Sequence, residues 1–285
     1  MRRNTIVLLI IALMTGACGA RGTGGLSVDD PADRRAVLAA APNATRDAGT
    51  AHISLLMELQ GPGIPEGTTV LGTGQQDFDA GQLFITMDVS AIPGMPEPGS
   101  MTYVITPDAT YMAISSLEQQ LGVKWVRMRY SDLTDEFGVD FEEMMSGQAV
   151  DPTAALDQLY GVSDDVEVVG EELVRGVETT HFRATIDRAA AVELAPESRR
   201  RALENLMADS GLGDSWTVEV WIDNDGRVRR QLMTMPVGGI EQRITMEAFD
   251  FGQPVDIQIP VDSIIDLPDF MEQMQPSGAT SQIPG

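Results

Sequence analysis

From residue 51 to residue 250 the hydrophobic pattern of the chain runs mostly with a period of two. In 52–59, Ile53, Leu55, Met57 and Leu59 alternate with His52, Ser54, Leu56 and Glu58. In 82–90, Leu83, Ile85, Met87 and Val89 alternate with Gln82, Phe84, Thr86 and Asp88. In 215–222, Trp216, Val218, Val220 and Ile222 alternate with Thr217, Glu219 and Trp221. One-sided alternation marks antiparallel strands with one face buried and one wet. The pattern predicts eleven strands, over 51–59, 68–78, 82–90, 101–107, 110–115, 123–130, 164–174, 176–186, 215–222, 227–235 and 240–250. Asp223-Asn224-Asp225-Gly226 is a hairpin turn by its Asp-Gly pair, and Gly61–Gly67 and Pro107-Asp108 are further connections.

Helical spacing replaces this period in three places. Residues 31–48 start with Pro31 after Asp29-Asp30 and carry Val37, Leu38 and Ala41 on one face. The others are 151–160, with Leu156 and Leu159, and 187–210, with Leu203, Leu206 and Met207. No break in composition divides the strands into two sets. The expected fold class is α+β: one large curved antiparallel sheet, a half-open β-barrel, covered by a few helices in a single domain over 31–266. Residues 267–285 hold three prolines and end in PSGATSQIPG, so they are expected as a disordered tail.

The N-terminus has a different pattern. Arg2 and Arg3 precede the apolar run Ile6–Met14, which at nine residues is too short to cross a bilayer. Residues 1–17 therefore read as an export signal, outside the fold. Thr15-Gly16-Ala17 leads directly into Cys18, the single cysteine of the 285-residue chain. This resembles the bacterial lipoprotein signal, or lipobox, with Thr15 where an aliphatic residue is usual. The resemblance implies a diacylglyceryl group on the Cys18 thiol and cleavage before it. Residues 18–30 follow as a Gly-rich flexible tether.

Charge sharpens that reading. The chain has 19 Lys+Arg against 43 Asp+Glu; removal of residues 1–17, which carry two Arg and no acid, leaves −26. Anionic headgroups repel such a surface, so membrane attachment requires the covalent anchor. Nucleic acid, which needs clustered cations, is excluded as a partner.

Little material for catalysis remains. Two histidines and one cysteine leave almost no material for a metal centre, a disulfide framework or a triad, and no G-x-S-x-G, H-E-x-x-H or P-loop pattern occurs. The expectation is no enzyme, no cofactor and no metal. His52 and His181 fall on the polar side of their strands and are expected to face solvent. Glu142-Glu143 and Glu171-Glu172 read as charged surface, and Gly72-x-Gly74 as a site of bending or close backbone approach. In a Ca²⁺ loop with Gly226 at the sixth position, Trp221 and Leu232 would fall where carboxylates are required, so that reading fails. Sixteen methionines, several on strands, suit an adaptable apolar surface. With aromatics at only 5%, Leu, Ile, Val and Met must fill the space under the sheet. Leu55, Met57, Met87, Val89, Val218 and Val220 are the candidate lining of an apolar ligand cavity.

Lys124-Trp125-Val126, the stretch VEVVGEELVRGVETTHFRATID at 166–187 and VEVWIDNDGRVRR at 218–230 complete the pattern. With the lipobox, the first helix and the long meander, they resemble the actinobacterial LppX/LprG-type lipoproteins, which share their fold with the LolA and LolB carriers and the sensor domain of RseB. The resemblance implies a protein anchored to the outer face of the cell membrane that binds or carries a lipid or acylated glycolipid in an apolar cavity. An RseB-like envelope sensor with a protein partner is the alternative it implies.

Overall fold

Each of the eleven segments predicted as strands forms one. The computed structural model describes residues 28, 30–94, 99–114, 118, 121–131, 166–187, 189–190, 193, 215–237 and 239–274. Strands β1 (Thr50–Gln60), β2 (Thr69–Asp77), β3 (Gln82–Asp88), β4 (Ser100–Ile105), β5 (Ala109–Ile114) and β6 (Trp125–Arg129) form one meander. Strands β7 (Glu167–Val174), β8 (Val177–Asp187), β9 (Ser215–Asp223), β10 (Val228–Val237) and β11 (Ile240–Phe249) form a second. The two meet where β1 pairs antiparallel with β11. With β12 (Ile264–Asp266) they make one open sheet in the order β12-β6-β5-β4-β3-β2-β1-β11-β10-β9-β8-β7. The large antiparallel sheet expected from the sequence is thus present, unclosed, with β12 and β7 as its edges.

Helix α1 (Pro31–Arg46) forms where its start signals place it. Asp30 caps it by accepting from the Ala32 N–H at 2.8 Å, and Pro31 occupies the first turn, where no N–H is needed. Leu38 and Ala41 pack with Phe182, Ile186, Val218 and Ile222, so α1 lies on the apolar face over β8–β10. Thr45 fixes its far end. The Thr45 hydroxyl donates to the Ala41 carbonyl at 2.7 Å and accepts from the Val228 N–H at 3.0 Å. That N–H lies beside a register shift between β9 and β10, where the ladder alone does not satisfy it.

The Asp223–Gly226 turn forms the expected hairpin, with Gly226 at φ +80°. The buried Asp223 carboxylate accepts from the N–H groups of Asp225 and Arg227 and pairs with Arg229, so its burial is compensated.

After β11 the chain turns back across the polar face. The Thr50 hydroxyl donates to the Gln253 carbonyl, the Asp256 N–H donates to Gln75, and Ile257 reaches a cluster of Phe84, Val104, Tyr111 and Trp125. The wet side expected for 82–90 is therefore partly dry, because 253–262 lies over it. β12 then adds parallel to β6, and Asp266 accepts a two-pronged contact from Arg127 at 2.7 and 3.1 Å. The hydrogen bond from Arg127 holds the Asp266 carboxyl below its ordinary range.

Residues 267–285 were expected as a disordered tail. The structure corrects this for the first turns: α2 (Leu267–Met274) places Leu267 and Phe270 against Val126 and Ile265. The predicted helices at 151–160 and 187–210 lie outside the described residues, apart from 187, 189–190 and 193.

Candidate ligand-binding face

Antiparallel register places side chains from different strands in rows on one face of a sheet. One row runs Met101, Met87, Gly72, Leu55, Met246, Gln231, Val220 and Phe182, from β4 to β8. The adjacent row runs Val70, Met57, Ile244, Met233, Val218 and Ala184. Leu55, Met87 and Val220 lie in the first row, and Met57 and Val218 in the second. Val89 is buried against Val70 and Leu59 beside the second row. All six candidate residues therefore share one face.

They do not share one environment. Val218 and Val220 are fully buried beneath α1, and Val89 is buried in its own cluster. Leu55, Met57 and Met87 are half-buried, as are Met101, Ile244 and Met246 beside them. The middle of the apolar face is thus less tightly covered than its β8–β9 end. Gly72 brings Leu55 and Met87 together: a Cβ at this glycine would stand 3.1 Å from Met87 Cγ and 3.2 Å from Leu55 Cβ. The close backbone approach expected of the Gly72-x-Gly74 pair is present at Gly74, where a Cβ would stand 2.2 Å from the Phe84 carbonyl oxygen.

The opposite face carries a polar network that strand alternation did not anticipate. His181 lies on that face as expected, but it is only 4% exposed, which corrects the solvent-facing assignment. Its ring stacks on Trp221 at 3.9 Å, with Nδ1 3.1 Å from Glu172 and Nε2 2.7 Å from Glu219. The Trp221 indole N–H donates to the second Glu172 oxygen at 3.0 Å. That hydrogen bond, with His181 nearby, holds the Glu172 carboxyl below the ordinary range. Farther along, Glu247 accepts from Arg230 and Arg175. Burial pushes Glu247 upward, but the two arginines outweigh it and hold its carboxyl below the ordinary range. His52 is half-buried and stacks on Phe249 at 5.8 Å.

Glu171 and Glu172 point to opposite faces, since they pair with Thr180 and Thr179 respectively. They cannot work as an acid–base pair. A depression at the β7–β8 hairpin is lined by both of them with Leu173, Glu178, Thr179, Thr180 and Asn224. Three carboxylates make it a poor seat for an acyl chain. Among the described residues no cluster of three His, Cys, Asp or Glu could hold a metal ion. Cys18 and Glu142-Glu143 lie outside the described residues.

No family model matches the chain. A relative from Streptomyces griseus, called an uncharacterized 31.2 kDa protein in the rplA-rplJ intergenic region, is 32% identical over 165 residues. The match covers 56% of this chain and 52% of that protein, so the chain spans about half the length of the curated relative it matches. Among solved structures the chain is similar to the lipoprotein LppX of Mycobacterium tuberculosis, at 16% identity and a TM-score of 0.47, with 80% of this chain and 100% of LppX covered. It is also similar to LprF from Mycobacterium bovis, at 15% identity and a TM-score of 0.47, with 84% and 100% covered.

Proposed function

We propose that the protein is a cell-envelope lipoprotein, anchored through a lipidated Cys18, that holds the acyl chains of a lipid or acylated glycolipid against the apolar face of its sheet. The observation that carries this reading is the half-buried middle of that face. Leu55, Met57, Met87, Met101, Ile244 and Met246 supply flexible or branched apolar surface with no charged group in their two rows. Such surface adapts to chains of varied length, because thioethers change rotamer at low cost. A carrier role needs no catalytic group on that face, and the protein is proposed as a binding protein rather than an enzyme.

Cys18→Ser should release the protein from membranes once residues 1–17 are removed, because the net charge of −26 then left gives it no second means of attachment. A Ser variant that still fractionates wholly with membranes would sink the anchor.

The soluble Cys18→Ser protein should yield acyl lipid on organic extraction and mass spectrometry, and should bind a fluorescent fatty acid. In that background Leu55→Trp should lower probe affinity about fivefold or more with a small change in melting temperature, because residue 55 is only half-buried. Val218→Trp, at a position with no exposure, should instead cost about 1–3 kcal/mol through overpacking. No extracted lipid and no probe binding would favour the envelope-sensor alternative, in which the same fold engages a protein partner.

A further inference from the structure

One side chain in the rows described above is out of keeping with its neighbours. Gln231 lies on β10 between Val220 of β9 and Met246 of β11, and it is 3% exposed. Its backbone belongs to the ladder, but its side-chain Nε2 is buried with no hydrogen-bond acceptor in reach among the described residues. The flanking side chains are a valine and a methionine, and neither supplies an oxygen. A buried amide left in this state keeps the desolvation penalty of its N–H uncompensated, whereas a leucine or methionine of similar volume would incur no such penalty.

Its position in the row gives that cost a use. On one side stand Val220 and Phe182, fully buried beneath α1. On the other stand Met246 and Leu55, at the start of the half-buried stretch. Gln231 marks the boundary between the closed and the less covered parts of the apolar face. An acyl chain lying along the half-buried stretch and ending at this boundary would bring its carbonyl oxygen to the orphaned N–H. A neutral amide offers a hydrogen bond but no charge, which suits an ester carbonyl better than an ionised carboxylate.

We propose that Gln231 is a specificity-determining residue of the apolar face, donating from Nε2 to the ester carbonyl of a bound acyl group. The inference rests on the lipid-binding reading above and adds the polar contact that selects an esterified chain over a bare hydrocarbon. It also assigns the ligand a direction, with the ester at the β10 side and the chain running towards β1–β4.

The test uses the full chain carrying Cys18→Ser, with diphenylhexatriene as the reporter. Displacement by methyl dodecanoate is compared with displacement by tridecane. The ester-to-alkane affinity ratio should fall about fivefold in Gln231→Leu, with tridecane binding retained, and the melting temperature of the unliganded variant should rise. Gln231→Met repeats the test with a flexible side chain of similar volume. An unchanged ratio in both variants would overturn the proposal and leave lipid binding intact. Failure of both variants to fold would overturn it too, since the amide would then be a structural requirement. Failure of the parent to bind either probe would overturn the lipid-binding reading and this inference with it.

Discussion

A single methyl group at position 74 is expected to lower the melting temperature by about 6–12 °C, the equivalent of roughly 3 kcal/mol for a domain of this size. Gly74 lies in β2 directly opposite Ile85 of β3. An alanine Cβ would stand 2.2 Å from the Phe84 carbonyl oxygen and 3.1 Å from both Cα and Cβ of Ile85. The nearest of these atoms is backbone of the neighbouring strand and cannot rotate away, so β2 and β3 would have to part. Gly72→Ala is the control. Its Cβ would press on Met87 Cγ at 3.1 Å and Leu55 Cβ at 3.2 Å, and the methionine can yield. The expected loss there is below about 1 kcal/mol. Thermal melts of the two variants that coincide would show that the β2–β3 contact is looser than this spacing requires.

The second large effect is expected from His181→Ala, at about 2–4 kcal/mol, read as a lower urea midpoint with an unchanged slope. The imidazole fills a site with 4% exposure, covers one face of Trp221 at 3.9 Å and bridges Glu172 and Glu219 across three strands. Its removal leaves a cavity against the indole and takes the shared partner from two carboxylates. His52→Ala, at a half-buried ring 5.8 Å from Phe249, should cost less than about 1 kcal/mol. A His181→Ala midpoint equal to that of the parent would mean that neither the stack nor the two carboxylate contacts contribute to stability.

His181 also shows where the sequence stops being legible. Alternation within 176–186 correctly puts it opposite the Phe182 and Ala184 side, and that much follows from one strand alone. Its burial follows from the neighbours, which pair it with Trp221 of β9 and bring Glu172 from β7. Phe84 is a parallel case. It shares its side of the strand with polar Gln82, Thr86 and Asp88, yet Ile257 reaches its cluster from 254–262, a segment that alternates apolar and polar residues but forms no strand. The eleven strands were readable from two-residue alternation, clearest in β1, β3 and β9, and from the turn residues between them. β12 was not, because three residues cannot display a period, and its hold comes from Arg127 and Asp266 across the sheet edge. In the candidate site, parity alone puts Leu55, Met57, Met87, Val218 and Val220 on one side. It could not separate the half-buried first three from the sealed last two, since that depends on where α1 lies. Gln231 carries no signal in the sequence, because a lone glutamine in a strand is ordinary until its neighbours across the ladder are known.

The seam between β1 and β11 governs the order in which the molecule can be assembled. Each meander joins strands that are neighbours in sequence, but the seam sets His52 opposite Phe249 and Gln60 opposite Glu241. Closing a loop of nearly 200 residues carries an entropy cost of about 4–5 kcal/mol by the logarithmic scaling of loop closure. Pairings of such long range are what make β-rich topologies slow to fold. Leu55 of β1 and Met246 of β11 become adjacent only through this seam. The apolar rows therefore become continuous only when β1 meets β11, and a nascent chain still lacking β11 holds each row as two unjoined pieces.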